Sequence, residues 1–178
     1  MDNLARGAVK ALEGRPLWNR ARAVELELLQ FGARIEGQDF RGRPRTVGEW
    51  ALHLSGGWRI IAQGRVLVGY RDYWIAGEGV SDEQFDPASP GSSRRDRLMD
   101  LFMSHGEDVH VVRTADLTEM GDLRLVFADG CMLEAFADIG FVKAIDDEAP
   151  EECWRLFSPG ADTEHLVIEA GGVIDFPG

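Results

Sequence analysis

At 178 residues and a formal net charge of −12, the chain is long enough to enclose a core of its own, and one domain over 1–178 is expected. The acidity speaks against nucleic acid, whose phosphates demand clustered Lys and Arg, and no run approaches the roughly 20 apolar residues of a membrane span. Asp2, Arg6, Lys10 and Glu13 interrupt any secretory leader, so a soluble cytoplasmic protein is expected.

The charge is unevenly spread. Residues 1–71 hold 12 Lys/Arg and 7 Asp/Glu, a net of +5, and residues 72–178 hold 7 and 24, a net of −17. Either the two halves neutralise each other internally or the acidic half faces a cationic partner.

In chain order, Leu4, Ala8, Val9 and Leu12 mark one face of a short N-terminal helix that Gly14-Arg15-Pro16 stops. Over 23–31, Val24, Leu26 and Leu28 alternate with Glu25 and Glu27, the period of a half-buried strand with its leucines inward. A loop with Gly37, Gly42 and Pro44 follows.

The stretch ALHLSGGWRI (51–60) then reads as two strands around a Gly56-Gly57 hairpin turn, pairing Ser55 with Trp58, His53 with Ile60 and Leu52 with Ile61. A second turn at Gln63-Gly64 sets Ile61 opposite Val66, Ile60 opposite Leu67 and Trp58 over Gly69. Strands at about 48–55, 58–62 and 65–73 therefore form a three-stranded unit within 47–73.

Residues 75–92 collect Gly, Pro, Ser and Asp as a long loop, expected to be the most mobile segment. Ser93 caps a helix within 93–105, whose inner face is Leu98, Leu101, Phe102 and His105. A second three-stranded unit fills 109–137 around Asp129-Gly130, pairing Phe127 with Met132, Val126 with Leu133 and Leu123 with Phe136. An acidic loop bearing Asp146, Asp147, Glu148, Glu151 and Glu152 precedes three short strands, CWRLF, HLVIEA and GVIDF. Ungapped, 51–60 and RLVFADGCML (124–133) share only Leu52/Leu125 and Gly57/Gly130, which hairpin physics explains without duplication. The class is α+β: mainly antiparallel sheet, about nine short strands in hairpins and meanders, with helices at the edges.

Reactive constellations are scarce. His53, His110 and His165 lie in separate strands with no HxH or HExxH pair, so no metal is implied. Nor is a cofactor, because no P-loop or GxGxxG is present, and no GxSxG elbow presents a serine. Cys131 and Cys153 sit in apolar strand patterns and read as packed thiols, a single bridge between them also being compatible with the sequence.

What stands out is a set around the first unit: Trp50, His53, Trp58, Arg59, Arg71, Asp72, Tyr73 and Trp74. Trp and Arg dominate binding hot spots, which makes Trp58, Arg59 and Trp74 the candidate binding residues. Arg59 either reaches solvent or pairs with a carboxylate such as Asp72.

The segments LLQFGAR (28–34), VGEWALHLSGGWRI (47–60), GYRD (69–72), ECWRLFSPG (152–160) and HLV (165–167) resemble a group of small uncharacterised bacterial proteins with no assigned activity. That resemblance implies no functional residue. The leading reading is a non-enzymatic binding module for a basic protein partner, in one form an immunity-type protein that neutralises a basic toxin. The competing reading is a small hydrolase using His53 and Asp72 in a pocket beneath loop 75–92.

Overall fold

The computed structural model describes residues 3–38, 41–106, 109–140, 150–159 and 165–175. Helix α1 spans Asn3–Lys10 and α2 Arg94–Met103, and a 3-10 turn covers Tyr70–Trp74. The strands are β1 Leu17–Ala23, β2 Leu26–Gln38, β3 Pro44–Leu54, β4 Trp58–Ala62, β5 Arg65–Gly69, β6 Val112–Leu117, β7 Leu123–Phe127, β8 Met132–Ala135, β9 Glu152–Phe157, β10 Leu166–Glu169 and β11 Val173–Asp175. They form two antiparallel sheets, one ordered β1-β2-β3-β9-β10-β11 and the other β5-β4-β8-β7-β6. The α+β class, both helices and a mainly antiparallel assembly of about nine short strands are as expected, the described residues forming eleven.

The core is one cluster that both sheets share. Leu29, Phe31, Leu52, Leu54 and Trp154 enter it from the six-stranded sheet, and Ile60, Leu125, Phe127 and Leu133 from the five-stranded one. Each such side chain contributes roughly 1.5–3 kcal/mol by leaving water. From α1, Ala5 and Val9 are buried, with Leu12 just beyond; Leu4, expected on that face, is exposed.

The first correction concerns strand phase. The chain reverses at Val24-Glu25, with Ala23 opposite Leu26, and Val24 takes a left-handed φ of 55°. Glu27, Leu29 and Phe31 then point inward while Val24 is exposed. The expected period of two holds with its phase inverted, because adjacent Leu28 and Leu29 make both faces of the segment apolar.

The second correction concerns partners. Gly56-Gly57 is not a hairpin: β3 pairs with β2 and β9, while β4 pairs with β5 and β8. The expected unit over 47–73 is divided between the sheets, and the pairs Ser55/Trp58, His53/Ile60 and Leu52/Ile61 do not form. A two-residue hairpin needs left-handed backbone, and neither Gly56 nor Gly57 adopts it. Gln63 and Gly64 do, at φ 51° and 73°, and there the expected Ile61/Val66 pair forms. A bulge then shifts the register to Ile60/Val68 and Arg59/Gly69. Beyond Gly69 the expected strand becomes the 3-10 turn, where Asp72 accepts the Gly69 N–H at 2.9 Å.

Asp129-Gly130 closes a true hairpin, but as a three-residue loop. Gly130 N–H donates to Phe127 O at 3.0 Å, Gly130 sits at φ 86°, and Phe127 N–H donates to Cys131 O at 2.9 Å. A type I turn followed by one left-handed residue adds a position, so Val126 faces Met132, Leu125 faces Leu133 and Leu123 faces Ala135. The expected pairs were one residue out on one side.

At α2, Ser93 Oγ accepts the Asp96 N–H at 3.2 Å, the expected cap. The inner face, however, is Arg95, Asp96, Met99 and Phe102, and Leu101 and His105 are exposed. Loop 75–92 is tied down at several points: Gly77 N–H to Ser92 O at 2.8 Å, Arg94 N–H to Ile75 O at 2.7 Å, and Arg22 Nη2–H to Ser89 O at 2.9 Å. Residues Asp146, Asp147 and Glu148 of the acidic loop lie outside the described residues, while Glu152 pairs with Arg155.

Candidate functional site

The bulge in β4-β5 and the 3-10 turn bring an aromatic set together. Where β5 gives way to the turn, Trp58, Tyr70, Trp74 and Phe136 line a hollow of about 590 Å³ with Asp72 and Asp138. Trp58 is a wall, 3% exposed, whereas Trp74 is 58% exposed and held edge-on against Tyr73 with centroids 4.8 Å apart. The structure therefore joins Trp58 and Trp74, two of the three residues expected to bind. Arg59 lies beside them: its guanidinium is 2.7 Å from Glu134 and stands 5.3 Å from the Phe136 ring centroid. The expected Arg59-Asp72 pair does not form, and Asp72 lies 3.5 Å from Arg94 instead.

The crossover residue Gly57 matters here for space rather than for backbone freedom. Its N–H donates to Asp138 Oδ1 at 3.0 Å, and a Cβ on it would collide with Asp138 Oδ2. Tyr70 donates its hydroxyl to Glu25 at 3.0 Å; burial and that bond push its pKa up to about 12, so it stays a neutral donor.

Behind Trp58 is a second polar cluster of opposite character. Arg95, wholly buried, stands 5.8 Å from the Trp58 ring centroid and 4.6 Å from that of Tyr73. It donates to Glu25 O at 2.9 Å and to Val24 O at 3.4 Å, holding the strained turn, and its Nε lies 3.5 Å from Glu27. Arg20 reaches Glu27 at 3.3 Å, and Arg22 grips Asp96 at 2.7 and 2.9 Å. Burial pushes the Glu27 carboxyl up to about 7 against the pull of Arg20 and Arg95.

The hydrolase pair is not assembled. His53 lies on the six-stranded sheet in a different hollow, of about 250 Å³, edge-on to Phe157 at 4.8 Å, and burial followed by Arg155 pushes it down to about 4. Asp72 belongs to the Trp74 hollow. His165 stacks on Phe157 at 4.4 Å, while His110 meets Asp129 at 2.8 Å and Phe102 O at 2.9 Å. Both cysteines are free; burial and the Asp129 carboxylate push the Cys131 thiol up to about 11, and burial raises Cys153, so neither presents a thiolate at neutral pH.

A third hollow, of about 830 Å³, lies at the other end of β5. It is lined by Leu67, Leu101, Phe102, Val109 and His110, and it shares Val66 with the Trp74 hollow. Sequence reasoning missed Val66, Ile75, Leu101 and Asp138. The only local signal was the bulky apolar pair Trp74-Ile75 placed directly before a polar loop. Among the described residues, no helix is long and apolar enough to cross a membrane. The chain matches no family model, no curated protein and no solved structure, and its function is therefore read from this surface alone.

Proposed function

We propose that the protein is a non-enzymatic cytoplasmic binding module that takes a basic protein partner on the surface around edge strand β5. The observation that carries this is a concentration of exposed apolar groups. Among the described residues eight large apolar side chains are exposed, and five of them, Val66, Trp74, Ile75, Leu101 and Val109, ring the two hollows that share Val66. Exposed apolar groups gathered this way, rimmed by polar residues, mark interaction surfaces. Asp72, Asp129 and Asp138 outnumber Arg65 and Arg71 around them, which on a chain of net charge −12 favours a cationic partner. An immunity-type role against a basic toxin is the narrower form. The hydrolase reading is not carried forward, since His53 and Asp72 line separate hollows.

Immobilised full-length protein is expected to retain a basic protein from native lysate and to release it as salt rises. Trp74→Ala and Leu101→Ala should each reduce retention. Retention indifferent to both substitutions, or no retention by a monomeric protein, overturns the reading.

A further inference from the structure

The Trp74 hollow is chemically more specific than an apolar patch. Four aromatic side chains line it, and the negative faces of aromatic rings attract cations. Two of the four already serve that way within the chain, as the Arg59 guanidinium lies over Phe136 and that of Arg95 over Trp58.

Three charged side chains complete the lining: Arg71, Asp72 and Asp138. Asp72 is engaged by the Gly69 N–H and Arg94. Asp138 is exposed, accepts the Gly57 N–H, and among the described residues makes no ion pair. Arg71 is the one positive group against two carboxylates in this lining, so an anion entering the hollow meets more negative charge than positive, and a neutral apolar group leaves Asp138 unanswered; a cation uses both the rings and the charge.

We propose that the hollow between Trp58 and Trp74 receives one cationic side chain of the partner, an arginine guanidinium or a lysine ammonium, with Asp138 as its counter-charge. This rests on the binding-module reading and names what the site recognises. The hollow, at about 590 Å³, also has room for the partner residues flanking that side chain. Arg71 opposes the incoming charge and sets the site's affinity from the rim.

The test uses full-length ¹⁵N-labelled protein and two probes, N-acetyl-arginine methylamide and its uncharged citrulline counterpart. The Trp74 indole signal, assigned by Trp74→Phe, is expected to shift saturably with arginine at millimolar concentration and roughly fivefold more weakly with citrulline. Asp138→Asn, whose amide oxygen can still accept the Gly57 N–H, should weaken arginine by a similar factor and leave citrulline unchanged. Arg71→Gln should strengthen arginine. Equal response to the two probes, no response to either, or arginine binding unaltered by Asp138→Asn overturns the proposal. If Trp74→Ala still abolishes partner retention while the probes fail, the cation site falls and the binding module stands.

Discussion

Two clusters of arginine, carboxylate and aromatic residues lie against Trp58, and they differ chiefly in water. In the first, Arg95 and Glu27 are both fully buried and lie among the charges of Arg20, Arg22 and Asp96. In the second, Trp74, Arg59 and Asp138 face solvent. Inside, removing one partner strands another in a medium that cannot hydrate it, so the cluster governs stability. Outside, the same residue types are cheaply hydrated and contribute little to folding, which leaves them available to a partner.

The largest expected effect would break this contrast if it failed. Arg95→Met strands Glu27 beside Arg20 and removes the donor to the Glu25 carbonyl, while Arg22 still donates to Val24 O, and should cost about 3–5 kcal/mol in urea unfolding. A loss below about 1 kcal/mol would mean the buried cluster behaves like a surface one. Pairing it with Glu27→Leu should recover much of the loss.

Next is pH. Glu27 holds its proton to about 7 when folded, against 4.5 in the open chain. Its contribution is fully present below 4.5 and fades as pH rises through 7, by at most about 3 kcal/mol. Other carboxyls, such as Asp96, held low by Arg22 against the effect of burial, act in the opposite sense. The quantity to measure is therefore the stability difference between wild type and Glu27→Gln from pH 4 to 8; a difference that does not change with pH refutes the assignment.

Smaller effects sharpen the outer region. Gly57→Ala should cost about 1–2 kcal/mol through crowding of Asp138, and Asp138→Ala should relieve it in a double-mutant cycle. Gly130→Ala should cost about 1 kcal/mol through its left-handed backbone, with no relief from any neighbour. Last, Trp74→Ala should change stability by less than about 0.5 kcal/mol while reducing retention of a basic partner. A large stability loss there would make Trp74 a packing residue.

Much of the framework was legible because it is local. The Ser93 cap, the turn at Gln63-Gly64 and the strands from β6 onward follow from side chains acting within a few residues of themselves. Trp58 and Trp74, which line one hollow, were legible as candidates by type, since aromatic residues beside polar turns are conspicuous in any context. Asp138 was not, because it reaches the site only through the Gly57 N–H, 81 positions away. Nor was the inward turn of Glu27 and Arg95, since charged residues are expected outside until a fold supplies partners for them.

By itself the sequence determined the class, the alternation and the left-handed turns at Gln63-Gly64 and Gly130, because sterics and period belong to the residue. Tertiary structure alone decided which strand lies beside which, since backbone hydrogen bonds carry no record of the side chains between them. Thus Gly56-Gly57 and Asp129-Gly130, similar as text, became a passage between sheets and a hairpin: at the first, Cys153 and Asp138 hold the glycine N–H groups, and at the second the chain bonds to itself.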